Sequence, residues 1–381
     1  MRRPLFSTPF FRGAYTQTVY SKTPAVRTAL SSKKRTVMKY NVLAMAAVAA
    51  LPLFAQAQSS VSITGRLVGG VEYINKVQNA DGTTGSLSRA ASNQWGTSML
   101  GFKGTEDLGG GNTAYFNLEG GFGSNTGNFS SFNRRSFVGL SNKGWGSLQV
   151  GRNLLNSNDV WNIDPTGQQN MGSATLVRGR NWQGLSNAIE YTTPNMGGFT
   201  LNAQYGFGEE AGNSKANRSE GLSAAYTNGN LELRAIYTSR RNAVGAYSDV
   251  YDTSKEGIIG GTYRIGAAKL FAAYDYVKAK NVEAGAPDRL KHGWIGVRYD
   301  VTPQLTLIGA GYRVLANKGN GNATLLMLGA DYNLSKRTFL YASFGGVSNS
   351  ASANYAADVS VNGPGKGASQ RVLYTGIGHS F

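Results

Sequence analysis

Residues 372–381 read V-L-Y-T-G-I-G-H-S-F, and the chain ends there on Phe381. Apolar and small or polar residues alternate in this segment, as on a strand whose two faces meet different surroundings. At the other end, residues 38–58 read M-K-Y-N-V-L-A-M-A-A-V-A-A-L-P-L-F-A-Q-A-Q. A short Lys-bearing start, an apolar run and a small-x-small motif at 55–57 form an export signal, with cleavage expected between Ala57 and Gln58. Residues 1–37 are basic and without pattern. They are expected to be an upstream extension from a misassigned start codon, followed by a signal peptide at 38–57 and one mature domain at 58–381. An exported β-protein of the periplasm that happens to end in Phe would share both features.

Composition narrows the choice. The formal charge is +17, but nine of the 38 Lys and Arg precede residue 58 and no Asp or Glu does, so +8 remains on the mature chain. Half of the basic signal therefore belongs to the leader, and no nucleic-acid partner is implied. The chain has no cysteine, which rules out a disulfide framework and thiolate metal sites. After residue 57 no apolar run reaches the eighteen or so residues of a membrane helix. The 51 glycines have no repeat period and sit at strand ends and inside strands, interleaved with aromatics.

The alternation recurs along the chain. Residues 199–207 read F-T-L-N-A-Q-Y-G-F, and Leu231, Leu233, Ala235 and Tyr237 alternate with Glu232 and Arg234. Ile295, Val297 and Tyr299 alternate with Arg298 and Asp300, and Leu326, Leu328, Ala330 and Tyr332 do the same. Connections come in two sizes. Short turns fall at 105–111, 142–146, 194–197, 228–229, 266–267, 302–303 and 334–336; long polar stretches at 75–95, 153–184, 208–219, 240–255, 279–289 and 347–370. Short turns on one side and long loops on the other are the pattern of an all-β, transmembrane antiparallel barrel. About sixteen strands are expected, from about residues 61–73 to 371–381, the even count letting first and last pair.

Five motifs carry a resemblance. Residues 98–111 read S-M-L-G-F-K-G-T-E-D-L-G-G-G, and 132–152 read F-N-R-R-S-F-V-G-L-S-N-K-G-W-G-S-L-Q-V-G-R. Residues 187–208 read N-A-I-E-Y-T-T-P-N-M-G-G-F-T-L-N-A-Q-Y-G-F-G, 333–341 read N-L-S-K-R-T-F-L-Y, and 376–381 read G-I-G-H-S-F. In this order they resemble the Gram-negative general porins of the beta-proteobacterial and neisserial type, over essentially all of 58–381. The resemblance implies a homotrimer in the outer membrane, in contact with lipid and lipopolysaccharide, and a long third loop folded into the pore. It implies a water-filled channel for small ions and hydrophilic solutes, with no cofactor. It also implies that Phe381 is an assembly signal read by the barrel-assembly machinery. The pattern departs at Met99, where the family usually has Arg, and at 182–185, which lack a customary Arg that Arg178 or Arg180 would replace. The implied anion preference is therefore mild. A substrate-specific channel of the same fold and a plugged adhesive barrel are the alternatives.

A pore works through its width and its fixed charge. The candidate constriction residues are Arg134 and Arg135 on a wall strand, Arg152 where the third loop begins, Arg180 within it, and Asp159 and Asp164 as an opposing negative side. Adjacent strand residues face opposite ways, so only one of Arg134 and Arg135 is expected to point into the lumen unless the other lies near the rim. Enzymatic chemistry has little support. The histidines are His292 and His379 alone, and Gly109-Gly110-Gly111 is a strand turn, with no helix following to make a phosphate loop.

Overall fold

The computed structural model describes residues 60–167 and 169–381. The extension, signal peptide and cleavage site expected at 1–58 lie outside the described residues. Among the described residues, seventeen strand segments form one sheet. They are β1 (Ser60–Gln78), β2 (Thr84–Ser92), β3 (Ser98–Gly109), β4 (Asn112–Phe122), β5 (Phe129–Asn142), β6 (Gly146–Leu154), β7 (Gly184–Thr192), β8 (Phe199–Gly206) and β9 (Ser219–Asn228). The others are β10 (Leu231–Arg240), β11 (Lys255–Ile265), β12 (Ala268–Lys278), β13 (Arg289–Asp300), β14 (Leu305–Ala316), β15 (Asn322–Asn333), β16 (Thr338–Asn349) and β17 (Gln370–Ser380). The lower half of β1 pairs with β3 and its upper half with β2. Those two segments are thus one spanning strand interrupted at 93–97, and the barrel has sixteen strands.

Closure comes from β1 pairing antiparallel with β17, from Arg66↔Ser380 to Ile74↔Val372. The Phe381 N–H donates to the Gly65 carbonyl and the Gly65 N–H to the Phe381 carbonyl, each at 3.0 Å. No sheet edge is then left to face lipid. Gly70 and Gly376 lie opposite each other on this seam. A Cβ on Gly70 would sit 2.2 Å from the Thr375 carbonyl oxygen and 2.8 Å from the Tyr341 hydroxyl. Glycine lets the two strands meet beneath the Tyr341 ring.

The alternation sorts the two faces. Ile259, Ile295, Leu326 and Leu328 are each more than 60 % exposed, and similar side chains ring the outside of the sheet. Such a belt is stable only against lipid or a neighbouring subunit. The next residues along each strand face inward, among them Glu72, Glu119, Asp331 and Tyr341.

One loop boundary differs from expectation. The stretch 75–95 is mostly strand, since β1 runs to Gln78, β2 starts at Thr84, and only 79–83 turn. An Arg89–Glu72 ion pair of 2.6 Å and the Tyr73 hydroxyl donating to Ser86 at 3.1 Å carry the hairpin past the other strands. Short hairpins at 123–128 and 317–321 also lie on the long-loop side; their small size hid them among strands.

Candidate functional site of the inner wall

The β4–β5 ladder is regular up to Glu119↔Arg135 and resumes at Gly121↔Ser130. Two steps on β4 thus face five on β5, a wide bulge with Ser131 at φ 34°. The bulge breaks strict alternation, and this corrects the expectation that Arg134 and Arg135 diverge. Arg134 Nε donates to Glu119 Oε1 at 2.8 Å, and Arg135 Nη1 donates to the same oxygen. Arg134 Nη1 also donates to Thr97 Oγ1 at 3.2 Å, and Arg66 Nε to the Thr97 carbonyl at 3.1 Å. Arg66 pairs across from Met99, where the familiar Arg is missing, and its guanidinium lies 5.3 Å from the centre of the Trp95 ring. Two guanidinium groups therefore share one buried carboxylate, and Arg66 is joined to Arg134 through Thr97.

The long connection 155–183 lies against inward-facing side chains of the opposite wall. Trp294 Nε1 donates to the Ile163 carbonyl at 2.9 Å, Arg298 Nη1 to the Pro165 carbonyl at 3.1 Å, and Ser343 and Tyr374 to Gln169 Oε1 at 3.0 and 2.9 Å. Val160, Ile163, Met171 and Leu176 share one apolar cluster with Trp294, Tyr312, Leu325 and Met327. Burying these residues against that wall fixes the loop over its length.

The remaining candidates take different places. Arg180 is wholly buried; it donates from Nε to Ser254 Oγ at 2.8 Å and lies 3.5 Å from Glu256, so it ties the loop to β10 and β11 and faces no open space. Asp164 is also buried and accepts from Thr166, Ser173 and Tyr312 at 2.7–2.9 Å. With its acceptors filled it organises the loop and offers no open negative side. Arg152 pairs opposite Ser136 in register with the exposed Val138 and Val150. It donates to Ser186 Oγ and the Asn133 carbonyl on the outer face, away from the Glu119 cluster. Asp159 lies against β9 and β10. It is half-buried, accepts from Ser223 at 3.0 Å and lies 3.5 Å from Arg234. Burial in the loop raises its carboxyl above the ordinary Asp range, with Arg234 opposing the shift.

Two cavities meet beside this cluster. One, about 460 Å³ on the long-loop side, is lined by Arg134 and Arg89. The other, about 260 Å³ toward the short turns, is lined by Arg135, Arg234, Asp159 and Glu190. Asn158 and Trp161 of the loop border both. Glu119, Arg234, Glu190 and Trp161 were not singled out as site residues from sequence; the alternation that put Glu232 and Arg234 on a wet face was the available signal for Arg234.

A closed sixteen-strand sheet, greasy outside and charged within, is a transmembrane β-barrel. The profile of the family described as Gram-negative porin matches residues 44–352. Outer membrane porin protein 32 of Delftia acidovorans is 33 % identical over 90 % of this chain and 100 % of its own length. Major outer membrane protein P.IB of Neisseria gonorrhoeae is 28 % identical over 81 % of this chain and 93 % of its own. The solved anion-selective porin from Comamonas acidovorans superposes with a TM-score of 0.74 at 29 % identity, covering 85 % of this chain and 100 % of that one. The chain belongs to the Gram-negative porin family. It is an outer-membrane general-diffusion channel.

Proposed function

We propose that this channel has a mild anion preference, set where Arg134 and Arg135 face the connection 155–183, and that this connection narrows the passage. The observation that carries the reading is two arginines on one carboxylate, each bordering one of two adjoining cavities. The cluster keeps a net positive charge, and low-dielectric walls focus its field on passing ions. The anion-selective title of the Comamonas acidovorans structure supports the sign. The working unit is a homotrimer cleaved after Ala57, as family membership supports, and Phe381 is the signal for the assembly machinery.

Replacing Arg134 and Arg135 together with Ser is expected to move the reversal potential in a KCl gradient toward cations, with a several-fold change in relative permeability. The control replaces Arg240 and Arg241, of which Arg240 pairs with Asp252 at 3.4 Å and Arg241 lies over Tyr247 at 4.4 Å. An equal shift from the control pair makes selectivity a surface-charge effect and removes the site.

A further inference from the structure

We propose that the larger cavity is a binding subsite for planar aromatic carboxylates, which the channel takes up in preference to aliphatic ones of similar size. This rests on the reading of the Arg134–Arg135 wall as part of the passage. The cavity, about 460 Å³, is within the size range of small-molecule sites. Its described lining includes two arginines, Arg89 and Arg134, and two indoles, Trp161 and Trp182; the carboxylates that pair with these arginines, Glu72 and Glu119, are not part of that lining. Asn158 and Asn170 are among its further polar residues. A plain diffusion pathway has no use for half-exposed indole beside guanidinium. A benzoate-like anion uses both: its carboxylate accepts from a guanidinium, and its ring packs on an indole.

The aromatic element is held ready. Trp161 lies in the 3-10 turn Asn156–Asn162, which Asp159 anchors to Ser223 and Arg234, and it packs in part against the apolar cluster. Trp182 ends the turn Arg180–Trp182, whose Arg180 donates to the Ser254 carbonyl just before β11. Two rigid rings cost a ligand little ordering on binding. Trp161 also borders the smaller cavity, which Arg135 and Arg234 line together with Asp159 and Glu190. An aromatic anion leaving Arg134 therefore keeps a ring contact until the next guanidinium takes its carboxylate. Chloride and aliphatic carboxylates have only the charge contact.

The test is inhibition of chloride current through the full-length protein in planar bilayers by benzoate and by cyclohexanecarboxylate, which match in charge and nearly in size. Benzoate is expected to halve the current at about three- to tenfold lower concentration, the range of one aromatic contact. Trp161→Leu and Trp182→Leu are each expected to shrink that ratio toward one, and Trp161→Phe to retain part of it. Equal inhibition of the wild-type channel by the two anions overturns the proposal without any variant, as does an unchanged ratio in both Leu variants. The KCl reversal potential of the wild type, read in the same membranes, tests the anion preference separately. A chloride preference with equal inhibition sinks only the subsite, and loss of that preference sinks the reading beneath it.

Discussion

Glu119 carries more of the site than any residue chosen from sequence. It accepts from both Arg134 and Arg135 while only 4 % exposed, so it cancels one of two positive charges at the wall. A unit charge about 4 Å from an ion is worth about 1 kcal/mol in bulk water and about 4 at an effective dielectric near 20. Glu119→Gln is therefore expected to raise the chloride-to-potassium permeability ratio, by roughly twofold or more after salt screening. Its reversal potential should move opposite to that of the Arg134/Arg135 double variant; a shift toward cations means the pair acts through local structure and not through charge. Asp159 adds a pH dependence of known sign. Its raised carboxyl takes up a proton at a higher pH than a free Asp does, and the lumen then gains one positive charge. Anion preference should therefore grow as pH falls from neutral into the acid range. Arg234 and Ser223 touch this group, and Glu190 and Glu232 lie near enough to act on its charge, so Asp159→Asn isolates its share. That variant should start with a higher ratio at neutral pH and show a flatter pH profile. A profile as steep as the wild type's assigns the titration elsewhere.

Strands and loops were legible in the sequence wherever the two-residue period ran unbroken. Leu326, Leu328 and Tyr332 take the outer face, and the long connections at 208–219 and 279–289 end within a residue or two of the strands that bound them. The bulge at 131–134 was not legible. Nothing in S-F-N-R-R announces that four residues leave the ladder, because a bulge is fixed by what both strands pack against. The role of Arg180 was hidden for a similar reason: its partners Thr238 on β10, Glu256 on β11 and Ser254 between them lie far along the chain. Those partners imply a prediction about the element they hold. Arg180→Met leaves Glu256, 1 % exposed, without its cation. Breaking a buried pair by removing one member costs about 3–5 kcal/mol. The sixteen strands have their own ladders, so the loss should fall on the connection 155–183. Expected are new proteolytic cuts within it and a noisier single-channel current, both largely reversed when Glu256→Gln is added, since no buried charge is then left unpaired. A quiet, protease-resistant Arg180→Met channel shows that the apolar contacts of Ile163, Met171 and Leu176 suffice to hold the loop.

For the whole molecule the question is how a chain closes a ring with its two ends. The seam from Arg66↔Ser380 to Ile74↔Val372 is completed by the Phe381–Gly65 bonds. Phe381 also covers Gly65, whose missing Cβ would stand 2.3 Å from the ring. Deleting Phe381 removes two backbone hydrogen bonds at the short-turn end, where water can replace them. Each such bond is worth about 1 kcal/mol net, so the deletion should cost the folded barrel only about 2 kcal/mol plus the ring contact. A barrel with sixteen paired strands tolerates that loss. If Phe381 acts only through the seam, the deletion should be nearly silent both in cells and in refolding. If it is the signal by which the assembly machinery recognises the last strand, the two measurements separate. Refolding of the purified deletion variant into lipid vesicles should then proceed with little loss, while its yield in the outer membrane of growing cells falls sharply. Phe381→Trp, which keeps a terminal aromatic, should restore most of the yield. Equal yields of deletion and wild type in cells end the signal role. Failure in vesicles as severe as in cells shows instead that closure itself depends on Phe381, and that the seam is weaker than its hydrogen bonds suggest.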